Sequence, residues 1–225
     1  MERSKDPLTA ATTSILKPAI ASLGFQKLGS RSFGCVSDGV LQYLDLQLSA
    51  YGSKDFAVNH AAITLFNPRD YMVLQPGGRL PRGKSGDGWW KSSTHELADN
   101  SMRDVAERFT SHCLPWFERT RTTAGLLDVL IEHNSAINPP NAHYLFDIAC
   151  CQAKLGQLPE AWRSSEKAVA AYNAWHQRIK ADWCFDCIAT CQKLLEAIRD
   201  KHQERLLADW QAHSILKLKL GKILK

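Results

Sequence analysis

Residues 37–48, "SDGVLQYLDLQL", decide the fold. Ser37, Asp38 and Gly39 supply a tight turn of the kind that joins two antiparallel strands, because Asp and Gly tolerate a positive φ. From Leu44 to Leu48 the chain alternates apolar and polar residues, the period of a strand with one buried face. The strand-like pattern runs outward from this turn over Arg31 to Phe66, and "FAVNHAAITLF", residues 56–66, adds a further strand. Three or four antiparallel strands in a meander are therefore expected.

Upstream, Asp6 is placed to cap a helix and Pro7 suits its first turn. Leu8, Ile15, Leu16, Ala19, Ile20 and Leu23 then recur near helical spacing until Gly24. This helix should cover one face of the sheet. Downstream, "NPRDYMVLQPGGRLPRGKSGDGWWK", residues 67–91, is too rich in Gly and Pro for regular structure and is expected to be a long exposed loop, apart from a short strand at Tyr71 to Leu74. Ser101 with Asp104 has the pattern of a capping box, followed by Met102, Val105, Ala106, Phe109, Cys113, Trp116 and Phe117 at helical spacing. Pro115 should kink or end this second helix. "TAGLLDVLIEH" predicts another short helix, and "NPPN" at 138–141 separates it from the last third of the chain.

The expected fold class is α+β: a small antiparallel sheet of three or four strands with covering helices over residues 1–135, then an all-helical third over residues 138–225. Between Glu160 and Leu220 there is neither Gly nor Pro. One unbroken helix of that length would run on the order of 90 Å, so a turn is expected inside it, with Asn173 as the candidate.

Composition bounds the function. A chain of 225 residues with 44% hydrophobic content can bury one large core or two small ones. The opening "MERSKDPLTAATTS" has no apolar stretch and no later run approaches the roughly 18 apolar residues of a membrane span, so a cytoplasmic protein is expected. Seven cysteines are an odd number, and reduced thiols are the default. The net charge of +5 arises from 28 Lys and Arg interleaved with 23 Asp and Glu, which favours acidic partners without marking a dedicated nucleic-acid binder.

Residues 142–173, "AHYLFDIACCQAKLGQLPEAWRSSEKAVAAYN", resemble one tetratricopeptide repeat. Leu145, Ile148 and Ala149 fall in its first helix, Lys154 to Gly156 in its turn, and Ala161 and Ala168 in its second. Gln152 and Ser165 stand where the repeat has aromatics, and the next 34 residues do not repeat the pattern. A single helical hairpin is expected, since a solenoid needs about three repeats.

Over the first 130 residues or so, the ordered set "ILKPAIASLGFQKLGSRSF" (15–33), "LDLQLSAYGSKDFAVNHAAI" (44–63), "GWW" (88–90) and "LPWFER" (114–119) is similar to the bacterial domain of unknown function family 4304. The resemblance implies an α+β domain with no established chemistry, and by analogy an immunity role beside a bacterial toxin.

Cys184, Cys187 and Cys191 lie on one helix face with Trp183, Ile188, Leu194 and Leu195, and that apolar company reads as helix core. A structural zinc ion needs four ligands, and Cys150 and Cys151 would have to supply the others from a facing helix. No metal or cofactor is assigned. No nucleotide, metalloprotease or serine-hydrolase motif occurs, so no catalytic residue is named, and His95 with Glu96 reads as a solvated pair in a polar loop. The candidate partner surface is Arg79, Arg82, Lys84, Trp89 and Trp90, because arginine and tryptophan together make interface hot spots. The competing reading has one or both tryptophans plugging the sheet edge. The tail "LKLKLGKILK", 216–225, carries four lysines and no acid, and reads either as a site for an anionic membrane or nucleic acid or as a helix end.

The expected function is non-enzymatic protein binding to a partner with an acidic or neutral face, an immunity protein being one such role. The alternative is a nucleic-acid-binding module using the 79–91 loop and the lysine tail, and a third is an enzyme with its site between sheet and helical hairpin.

Overall fold

The computed structural model describes residues 6–83 and 88–224. Asp38 and Gly39 both take positive φ, 48° and 72°, and form the two-residue turn between β2 (Ser32–Ser37) and β3 (Val40–Leu48). The turn is tied down from outside: the Asp38 carboxylate accepts from the Thr123 backbone N–H at 2.7 Å. β3 pairs antiparallel with β4 (Asp55–Thr64) from Val40↔Thr64 to Leu48↔Phe56.

Among the described residues the sheet has six strands, where three or four are expected. The additional ones are two or three residues long, too short to show a period of two. β1 (Gln26–Lys27) extends the edge of β2, while β5 (Gly77–Arg79) and β6 (Trp90–Lys91) share the outer edge of β4. The 67–91 segment is thus partly sheet, and its strand begins at Gly77 instead of Tyr71. A Cβ on Gly77 would lie 2.1 Å from the His60 carbonyl oxygen, so glycine is what lets the chain come alongside β4 there.

One sheet face carries Phe33, Leu44, Leu46, Phe56 and Val58 and is covered by two long helical segments. The first comprises α1 (Pro7–Ala11), a π turn (Thr12–Leu16) and α2 (Lys17–Ala21); the second comprises α3 (His95–Arg108), a π turn (Phe109–Cys113) and α4 (Leu114–Arg119). Both contain a proline, Pro18 and Pro115, and neither ends at it. In each, the residue before the proline donates its N–H five residues back, Lys17 to Thr12 and Leu114 to Phe109, so the widened turn absorbs the missing i−4 bond. The second helix starts earlier than the Ser101 pattern suggests. Thr94 caps it by accepting from Leu97 N–H, which puts His95 and Glu96 in its first turn, while Ser101 is buried and donates to the Lys91 carbonyl.

His60, on the same face as Leu44, packs its ring 5.0 Å from Trp116 and 6.1 Å from Phe117. Burial favours the neutral imidazole and lowers its pKa from 6.5 to about 4. An unfolded chain takes up the proton below 6.5, whereas the folded chain refuses it until about 4, so this contribution is complete above pH 6.5 and is lost as pH falls through that window. Urea melts at neutral pH and at a pH just above 4 should therefore show wild type losing about 2–3 kcal/mol that His60→Phe does not lose. Identical pH dependence in the two proteins would contradict this.

The opposite sheet face carries Leu41, Tyr43, Ala61 and Ile63. It is covered by Leu220 and Ile223 of the C-terminal tail, with Met72 and Val73 beside them. Of the apolar residues in the lysine-rich tail, Leu220 and Ile223 are thus built into the core, while Leu216 and Leu224 stay exposed.

After α5 (Thr123–Ser135), the helical third comprises α6 (Ala142–Lys154), α7 (Leu158–Ile179), α8 (Trp183–Arg199) and α9 (Gln203–Lys217). It packs on the sheet through Val40, Ala62 and Phe66, which share a core with Leu126, Leu130, Ala149, Ala168, Leu194 and Leu207. α6 and α7 form a helical hairpin about Gly156 (φ 75°), and the small side chains of Ala149, Ala161 and Ala168 are fully buried. Asn173 lies inside α7 and makes no turn. The breaks fall at Lys180 and Lys201, with φ of 51° and 59°. Lysine in the left-handed region is uncommon, so neither position announces itself as a helix end. Among the described residues no helix is long and apolar enough to cross a membrane.

Candidate functional site

A cleft of about 1000 Å³ lies between the 67–75 segment and α6, α7 and α8. Its floor is set by α6, whose first turn is held by Asn141 accepting from the backbone N–H of His143 and Tyr144. From there the helix brings His143, Tyr144 and Asp147 to the cleft, and α7 adds Tyr172. The α8 wall is a single helical stripe, Trp183, Asp186, Cys187 and Thr190, at i, i+3, i+4 and i+7.

The facing wall has no regular structure and is held by polar contacts to three elements. Asp147 of α6 accepts from Asn67 at 2.8 Å and pairs with Arg69, both partners being largely buried. Ser214 of α9 accepts from the Arg69 backbone N–H and donates to the Asn67 carbonyl, each at 3.1 Å. Asp70 meets His213 at 3.0 Å and Lys217 at 3.7 Å. From the sheet, the Tyr43 hydroxyl donates to the Val73 carbonyl.

The titratable groups of the cleft bond and pack against one another. His143 Nδ1 lies 2.7 Å from the Tyr172 hydroxyl, and its ring stacks on Trp183 at 5.7 Å and 16°. Burial lowers its pKa, keeping the imidazole neutral. Cys187 shares a hydrogen bond with Tyr172, yet burial dominates and raises its pKa. A reactive cysteine needs the opposite shift. Above this floor both walls carry exposed apolar groups: Tyr71 is 71% exposed, Leu74 43% and Trp183 42%.

Of the partner-surface residues expected from sequence, Arg79, Arg82 and Trp89 come together at another part of the sheet. The Arg79 guanidinium sits 5.0 Å from the Trp89 ring centroid, and Arg82 donates to the Trp89 carbonyl at 2.6 Å. Trp90 does not belong with them: it is fully buried, stacks on Phe56 at 6.0 Å, and donates its indole N–H to Asp104 at 2.7 Å. It plugs the sheet edge. Lys84 lies outside the described residues.

Cys184 and Cys191 are fully buried, as are Cys150 and Cys151, while Cys187 alone of the α8 set reaches the cleft. Burial pushes the Cys191 thiol up to about 12. Among the described residues no group of three or more His, Cys, Asp or Glu is placed to hold a metal. Of the readings from sequence, only the third, a site between sheet and helical hairpin, points near this cleft, and that reading named no residue of the cleft. The cleft's one sequence signal is Asp147, a carboxylate flanked by Phe146 and Ile148 within an apolar helix, since a buried charge requires a partner from elsewhere.

Residues 16–119 match the family described as Domain of unknown function (DUF4304). The match contains the 67–75 wall, whereas α6, α7 and α8 lie beyond it, so the cleft is shared between the matched part and the helical third. No curated protein and no solved structure matches the chain.

Proposed function

We propose that this protein acts by binding another protein and takes up a segment of it in the cleft between residues 67–75 and α6–α8. The observation that carries the reading is the pairing of exposed apolar groups on opposite walls, Tyr71 and Leu74 facing Trp183, over a floor whose polar groups already bond one another. Such a groove gains by excluding water from its walls, and its anchored walls are formed before a partner arrives. A neutral histidine bonded to tyrosine and a thiol with a raised pKa make a poor nucleophilic pair, which weighs against catalysis there.

The resemblance to family 4304 suggests one such role, immunity against a bacterial toxin, which requires only a standing surface that occludes its target. A net charge of +5 disfavours the nucleic-acid mimicry by which an acidic inhibitor would block a nuclease.

Affinity capture of the tagged chain from its own cells, with and without nuclease, separates the readings. A near-stoichiometric protein should survive nuclease treatment. Loss of all bound material on nuclease treatment, or its steep loss with salt, would overturn the proposal in favour of nucleic-acid binding.

A further inference from the structure

Resting on the protein-binding reading, we propose that the α8 wall of the cleft is a seat for a cationic side chain, arginine or lysine, carried on the apolar segment that the cleft takes up. Trp183 and Asp186 face the cleft from the same side of α8, one turn apart. The Trp183 indole is backed by the stacked His143 ring on one side and supported by Tyr172 and Trp175 at 6.3 Å and 6.0 Å, yet 42% of it remains open. An indole fixed in this way offers a preformed π face, and tryptophan is the best aromatic partner for a cation.

The charges around the cleft select the ligand. Asp147 is engaged by Arg69 and Asn67, and Asp70 by Lys217 and His213. Among the described residues the Asp186 carboxylate has no ion-pair partner, and it is exposed. Lys180, in the turn before α8, reaches Gln177 at 3.3 Å. The cleft therefore presents one uncompensated negative charge beside an open indole, although the whole chain is +5. A guanidinium can lie on the indole while its edge meets the carboxylate, and Tyr71 and Leu74 across the cleft take the apolar neighbours of that side chain. Net charge alone points to an acidic partner surface; the groove within it asks for a cation.

The test uses the full chain and N-acetyl-arginine amide, followed by NMR at the Trp183 indole N–H, assigned with Trp183→Phe. The arginine amide should shift this signal saturably with a millimolar Kd. N-acetyl-norleucine amide and N-acetyl-glutamate amide should bind about tenfold more weakly, and Asp186→Asn should weaken the arginine amide by about fivefold. An unmoved Trp183 signal, or equal shifts from all three amides, would overturn the cation seat. If that happens while cleft substitutions still abolish partner capture, the protein-binding reading stands without it.

Discussion

Asp147→Ala should destabilise the protein by about 3–5 kcal/mol, read from the urea midpoint at constant m-value. Among the described residues Asp147 is the only acid that Arg69 meets, their side chains are 4% and 11% exposed, and the same carboxylate oxygen also accepts from Asn67. Removing it leaves a largely buried guanidinium without its counter-charge and releases the wall of the cleft from α6. The cost comes mainly from the stranded charge, not from the worth of the pair. Replacing both partners together, Arg69→Met with Asp147→Leu, should therefore recover most of the loss, because a well-packed apolar pair at such a site is close to neutral. A double variant as unstable as Asp147→Ala would mean that the pair holds the loop by geometry that no apolar contact replaces.

Trp90→Ala should cost a similar amount, about 3–5 kcal/mol, and the adjacent Trp89→Ala about 1 kcal/mol or less. The contrast comes from placement. Trp90 is 0% exposed, fills the space between β4 and α3, and bonds Asp104, which in turn accepts from Arg108 at 2.8 Å. Its removal opens a large cavity and takes one hydrogen bond from Asp104, which keeps its pair with Arg108. Trp90→Phe keeps most of the packing and loses the hydrogen bond, so it should fall between wild type and Trp90→Ala, at about 1–2 kcal/mol. Trp89 is only half-buried and packs on Arg79. Equal losses at the two positions would show that the 88–91 segment contributes to stability by its backbone path alone.

The central hairpin was legible because its information is local: a turn pair that accepts positive φ, flanked by strands of period two. The first helix was legible for the same reason, with a cap, a first-turn proline and a terminal glycine within one stretch. What the sequence concealed falls into two kinds. Strands of two or three residues on the edge of β4 and helix ends at Lys180 and Lys201 carry no periodic or residue-type signal. The cleft is invisible for a different reason: Arg69 and Asp147 are 78 residues apart, and Asp70 and His213 are 143 apart. Their pairing is a property of packing, not of spacing. The loop tryptophans show the limit of composition, since identical neighbours in "GWW" end as a surface contact and a core plug.

The claim that the cleft is where a partner binds is tested most directly by running the capture in parallel with three proteins. These are wild type, a cleft variant carrying Tyr71→Ala, Leu74→Ala and Trp183→Ala, and a sheet-surface variant carrying Arg79→Ala, Arg82→Ala and Trp89→Ala, each checked for a native melting curve. The account predicts that the partner protein is retained by wild type and by the sheet-surface variant and is lost from the cleft variant. Retention by the cleft variant together with loss from the sheet-surface variant would contradict it and move the interface to Arg79, Arg82 and Trp89.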